Sequence, residues 1–182
     1  MEFFELELSG SYLIENKRNI DERGAFSRIF CKNEFKKHGL NTNWVQISYS
    51  YTEKKRTLRG LHYQSDPYQE DKLIRCVKGS IWDVIVDIRK DSETYGKYYA
   101  TELNSEDDKV IYVPKGFAHG FITNTDQCEV EYYISEYYMS SYQGSILWDD
   151  KDINIQWPNQ PKEMSSKDRN ALTFKDYHID SK

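Results

Sequence analysis

The sequence predicts an all-β fold, an antiparallel sandwich or barrel, on three observations. Short runs rich in Val, Ile, Tyr and Phe recur at near-regular spacing, turn residues punctuate them, and no recurring helical period competes. A length of 182 residues suits a single domain over 1–182 with a real core, and no composition shift marks a boundary.

Taken in order, Lys32–His38 reads as a short helix, with Asn33 available as its cap and Gly39 as its terminator. The run Leu58-Arg59-Gly60-Leu61-His62-Tyr63-Gln64 reads as extended chain interrupted by a glycine, which permits a bulge or a close backbone approach. Residues 81–88 alternate: Trp82, Val84, Val86 and Ile88 take one face, and Ile81, Asp83, Ile85 and Asp87 the other. Further strands fall at 110–113, 119–123 and 129–135, separated by turn signals such as Lys78-Gly79-Ser80 and Pro114-Lys115-Gly116. In the last of them Val130, Tyr132 and Ile134 share the inward face, while Glu129, Glu131 and Tyr133 point away. The chain turns polar from Pro158, and Ser165-Ser166-Lys167-Asp168 reads as the start of a helical turn.

Composition excludes several classes. The net charge of −5 is spread along the chain and no Lys/Arg block stands out, so a nucleic-acid partner has no support. An anionic ligand must therefore be held by a local cluster. Cys31, Cys76 and Cys128 are widely separated and form no CxxC pair, which argues against a disulfide framework and for a reducing, cytoplasmic setting. The opening Met1-Glu2-Phe3-Phe4-Glu5 lacks the basic and apolar regions of a signal peptide, and no run approaches a membrane span.

Chemistry concentrates around His62. A proton acceptor, the planar fork of Arg59 and, eight residues after Gln64, the ammonium of Lys72 suit proton exchange beside a ketone carried by an anion. Strict alternation would put Arg59 and His62 on opposite faces, so a bend at Gly60 is required for both to meet one ligand. A second constellation, Pro114-Lys115-Gly116-Phe117-Ala118-His119 with Asn124 beyond, resembles the second motif of the cupin superfamily. That resemblance implies a jelly roll, or double-stranded β-helix, barrel with a few short peripheral helices. Where metal-dependent cupins carry HxH, this chain has His62-Tyr63-Gln64, and an amide is a poor transition-metal ligand. The expectation is a metal-free cupin without a cofactor. No Gly-rich dinucleotide fingerprint follows any strand. Asp83, on a buried face, needs a partner, and His119 is the natural one.

The segments Asp21–Phe26, Leu58–Gln64, Lys72-Leu73, Asp83–Asp87, Gly116–Phe121, Trp148-Asp149-Asp150, Gln156-Trp157-Pro158 and Ser166-Lys167-Asp168 occur in this order. In wording and order they resemble the dTDP-4-dehydrorhamnose 3,5-epimerase family of nucleotide-sugar enzymes, over nearly the whole chain. The resemblance implies His62 as catalytic base and Asp168 as the carboxylate that orients it. It implies Lys72 as the cation for the enolate oxygen and Tyr132 as the acid on the opposite face. It assigns the nucleotide to Arg23, Phe26, Arg28, Gln46, Ser48, Arg59, Tyr138, Gln143 and Lys167, with His119 also at the substrate. Arg23, Arg59 and Lys167 would meet the diphosphate, and Phe26 and Tyr138 would sandwich the base. Many family members differ at Arg28, Ser48, Tyr133 and Gln143 (Glu, Asn, Lys and Glu there). All but Tyr133 map to the nucleotide side, so these departures bear on base recognition rather than on the proton chemistry.

The implied activity is inversion of C3 and C5 of a dTDP-4-keto-6-deoxyhexose by a homodimer, its N-terminal strand residues exchanged across the interface. A single-centre epimerase, one using another nucleotide, a non-catalytic cupin binding module, and a metal-dependent cupin oxygenase or isomerase, which Gln64 disfavours, are the competing readings.

Overall fold

The structure, a computed structural model, describes residues 1–180. In chain order the elements are β1 (Glu2–Glu5), β2 (Tyr12–Glu15), β3 (Asn19–Asp21), β4 (Gly24–Phe26), α1 (Lys32–Lys37), β5 (Gln46–Thr52), β6 (Leu58–Gln64) and β7 (Lys72–Lys78). There follow β8 (Ser80–Asp87), β9 (Tyr98–Asn104), β10 (Lys109–Val113), β11 (Phe117–Thr123), β12 (Cys128–Ile134), β13 (Gln143–Ser145), α2 (Ser166–Arg169) and α3 (Phe174–Asp180). The expected all-β class is what forms.

A six-stranded sheet in the order β1-β2-β10-β7-β12-β5 faces a five-stranded sheet in the order β13-β6-β11-β8-β9. From β5 to β8, and again from β9 to β13, the chain crosses to the other sheet at every step. That alternation makes the jelly roll, and it means most strands hydrogen-bond to partners remote in sequence. Ile74, Ile111 and Val130 from one sheet meet Ile81, Ile85, Leu103, Phe117 and Phe121 from the other in the central core.

Both faces of β8 are buried. Ile81 and Ile85 point between the sheets, while Val84, Val86 and Ile88 point outward under the C-terminal segment, against Ile153, Ile155 and Phe174. This is the alternation the sequence predicts, with an outer apolar layer in place of solvent.

Helix α1 covers the other sheet by burying Phe35 completely against Ile14, Leu73 and Val110. Full burial of such a ring stabilises by about 1.5–3 kcal/mol. The helix begins at Lys32 as expected, but its N-cap is Cys31, with no side-chain cap bond, and Asn33 lies inside. Gly39, at φ +71°, ends it as the sequence indicates. Ser165 caps α2 by accepting a hydrogen bond from the Asp168 N–H. The hairpin β3–β4 stands apart as its own two-stranded sheet, with Ile20 and Phe26 largely exposed.

At the end of β8 the fully buried Asp87 carboxylate accepts from Arg89 Nε and Nη2 at 2.9 and 2.7 Å, Ser92 Oγ at 2.6 Å and Thr94 Oγ1 at 2.7 Å. Burial alone would raise its pKa, but these bonds outweigh it and hold the carboxyl below the usual range. A depressed folded-state pKa gives stability that is complete above the unfolded value, near pH 4, and is lost as pH falls through the folded value. Asp87→Asn is therefore expected to lower the unfolding free energy by about 2–4 kcal/mol at neutral pH. It should also flatten the acid dependence below about pH 4; urea unfolding at stepped pH measures both.

Candidate active site

The site begins with an irregularity in β6. Arg59 and His62 are three positions apart on β6, yet their partners on β11, Phe121 and His119, are two apart. The extra residue makes a β-bulge at Gly60. Gly60 has φ +123°, and a Cβ there would lie 2.5 Å from Gly120 Cα and 2.8 Å from the His119 carbonyl oxygen. Only glycine fits. The bulge supplies the bend the sequence requires, so Arg59 and His62 open into one cavity of about 760 Å³ at the end of the inter-sheet space.

On one wall His62 Nε2 lies 2.6 Å from Asp168 Oδ1. The Ser165 cap sets the turn that presents Asp168, which is nearly buried. Burial would raise the Asp168 pKa; the hydrogen bond and charge of His62, with bonds from Ser165 and the Gly60 backbone, overcome it and keep the carboxyl below its ordinary range. The acid is thus an anion at neutral pH, suited to fixing the imidazole and stabilising its cation.

The facing wall is β12. Val130 continues into the core while Tyr132 reaches the cavity, its hydroxyl 3.4 Å from Ser50 Oγ. Burial pushes this phenol well above its ordinary range, helped by Asp83 and opposed by Ser50 and Arg59, so it stays protonated. The Tyr132 ring meets His119 edge-on, with centroids 6.2 Å apart. His119 Nε2 lies 2.7 Å from Asp83 Oδ2 in the expected second pair, both side chains buried. Lys72, at the start of β7, places Nζ 3.0 Å from Glu70 Oε1 on the cavity rim.

The expected nucleotide side also assembles in part. Gln46, Ser48, Arg59, Tyr138, Gln143 and Lys167 line the same cavity. Gln143 Oε1 accepts from Tyr138 Oη at 2.9 Å and Lys167 Nζ at 2.6 Å, and Gln46 Oε1 accepts the Tyr138 N–H at 2.9 Å. Arg59 donates to Thr52 Oγ1 and the Tyr51 carbonyl. Arg23, Phe26 and Arg28 do not join them in the single chain. Arg23 pairs with Asp21 and Phe26 is exposed, both on the β3–β4 hairpin, and Arg28 lies 3.5 Å from Glu34.

Other lining residues went unread in the sequence. Ser50 shares the face of Gln46 and Ser48 by simple alternation, a signal that was available. Glu70, Glu163 and Met164 come from loops and carried none. Gln64 turns out to be a brace: its amide donates to the Tyr68 and Tyr137 carbonyls and Glu70 Oε2, and its oxygen accepts the Met139 N–H. Among the described residues no three His, Cys, Asp or Glu side chains form a metal-ligand set.

An anchored imidazole and a protonated phenol lining one cavity from opposite sheets suit exchange of a carbon-bound proton. On a jelly-roll frame that geometry suits an epimerase of the cupin type. The family model of dTDP-4-dehydrorhamnose 3,5-epimerase matches residues 5–176. The enzyme of that name from Shigella flexneri is 41% identical over 177 residues, 97% of each chain. The Legionella pneumophila dTDP-6-deoxy-D-glucose-3,5-epimerase, solved with dTDP-4-keto-L-rhamnose, superposes with a TM-score of 0.91 at 32% identity, covering 96% of this chain and 93% of that one. A 3'-monoepimerase from Streptomyces bikiniensis, solved with dTDP-quinovose, gives 0.90 at 27%, covering 97% and 90%. The chain belongs to the dTDP-4-dehydrorhamnose 3,5-epimerase family, and it is an isomerase of dTDP-rhamnose biosynthesis.

Gly60→Ala tests the bulge. Forcing a Cβ against backbone at positive φ is expected to cost about 2–5 kcal/mol in urea unfolding and to part Arg59 from His62 in a crystal structure of the variant.

Proposed function

We propose that the chain inverts C3 and C5 of its dTDP-4-keto-6-deoxy sugar by proton exchange through an enolate. The observation that carries this reading is the placement of His62 and Tyr132 on opposite sheets around one cavity. C3 and C5 both flank the C4 ketone. His62 removes the C–H proton, the electron pair moves into a new C=C bond, and the carbonyl oxygen takes the negative charge beside Lys72. Tyr132 then donates its proton to carbon from the other face, the ketone re-forms with the centre inverted, and solvent resets both side chains. Asp168 holds His62 in orientation, and the Asp83–His119 pair supports the wall behind Tyr132.

Arg59 and Lys167 meet the diphosphate, and Gln46, Ser48, Tyr138 and Gln143 hold the nucleoside. Arg23, Phe26 and Arg28 reach a cavity only from a second copy, which makes the enzyme a homodimer. The exposed β3–β4 hairpin and the β5 edge, with Ile47 and Tyr49 exposed, supply surface for that contact. The free cysteines fit a cytoplasmic setting, and no helix among the described residues is long and apolar enough to cross a membrane.

A single-centre reaction is the second reading, because the Streptomyces bikiniensis 3'-monoepimerase shares this fold. Proton NMR of the reaction in deuterated water decides between them: deuterium is expected at both C3 and C5 of dTDP-4-keto-6-deoxyglucose, whereas label at one carbon would select the second reading. His62→Ala should slow exchange at both carbons by about 10²–10⁴-fold, and retained exchange would remove it from the base role. Tyr132→Phe should spare proton removal and impair inversion, most clearly at C5; full product formation would refute its role as acid.

A further inference from the structure

Lys72 is not alone at the cavity rim. Its Nζ lies 3.0 Å from Glu70 Oε1, and both side chains are nearly buried, at 10% and 12% exposure. The other oxygen of Glu70 accepts from Gln64 Nε2 at 3.0 Å. Gln64 sits two positions beyond His62 on β6, whereas Lys72 opens β7 in the opposite sheet. Gln64–Glu70–Lys72 is therefore a hydrogen-bonded strut between the strand carrying the imidazole and the strand carrying the ammonium. The backbone beside Glu70 is fixed as well. The Asp71 N–H donates to Ser135 Oγ at 2.7 Å, and Asp71 Oδ1 accepts from Tyr112 Oη at 2.9 Å and the Lys115 N–H at 3.2 Å.

Such a brace has a physical purpose. Lysine is a point charge on a flexible stem with three donors, and holding it at one spot in a poorly solvated wall calls for a counter-charge. A cation fixed before reaction stabilises a developing oxyanion without reorganising. We propose that Glu70, held by Gln64, is the positioning residue that aims Lys72 Nζ at the carbonyl oxygen of the keto sugar. Glu70 touches no reacting atom; it acts through Lys72. The proposal rests on the enolate reading above and adds the residue that sets its geometry.

A double-mutant cycle tests it: wild type, Glu70→Ala, Lys72→Met and the double variant, each assayed for kcat, KM and exchange at C3 in deuterated water. Glu70→Ala is expected to lower kcat about 10–100-fold with KM within about threefold, and to change kcat less than about twofold once Lys72 is already Met. Crystal structures of the single variant should show Nζ displaced by about 1 Å or more. If Glu70→Ala fails to fold, Glu70→Gln, which keeps the shape and removes the charge, is read in the same way. Equal losses in both Lys72 backgrounds, no loss in either, or an unmoved Nζ would overturn the proposal. So would full activity in Lys72→Met, since no cation would then need aiming. Failure of the wild type to exchange either carbon would instead sink the enolate reading, and the position of Nζ in the variant would still decide whether Glu70 is a brace.

Discussion

Between Arg59 and His62, β6 carries one residue more than the β11 segment it pairs with, and the surplus is taken up at Gly60. A regular strand would turn one of the two side chains into the cavity and the other into the layer beneath the C-terminal segment. With the bulge both face the same space, and no other residue type leaves room for the β11 backbone. The cation and the imidazole therefore share a cavity because of backbone geometry at that one position.

The charges of the site come in pairs. Asp168 serves His62, Asp83 serves His119 and Glu70 serves Lys72, each within hydrogen-bonding distance. Pairing allows several ionisable groups to stand in a poorly solvated wall without the full desolvation cost of isolated ions. Arg59 and Lys167 differ, since the oxygens they bond belong to neutral groups. In a protein of net charge −5 these two give the cavity wall a local positive charge that its own bonds leave uncompensated.

Much of this was legible from residues alone. The two faces of β8 follow from alternation, the inward row Val130, Tyr132 and Ile134 likewise, and both His–Asp pairs were expected from burial and from family wording. The need for a bend at Gly60 was readable, because alternation without it fails. What stayed hidden has physical causes. The cap of α1 is Cys31 rather than Asn33, since tertiary burial of Phe35 sets the helix phase more strongly than cap preference does. Glu70 meets Gln64 and Lys72 from a loop, whose geometry has no period to read. The distance of Arg23 and Phe26 from the cavity reflects the path of a hairpin that packs against little of its own chain.

His62 and Asp168 are separated by 106 positions, and the segment bearing Asp168 also supplies the outer cover of β8. A chain made from its N-terminus at roughly 5–20 residues per second exposes the imidazole several seconds before its carboxylate exists. Until α2 has been synthesised and has docked, His62 lacks the carboxylate that holds its ring and β8 lacks its outer cover. Completion of the His62–Asp168 pair and closure of the outer layer thus both wait on the same late-made C-terminal segment.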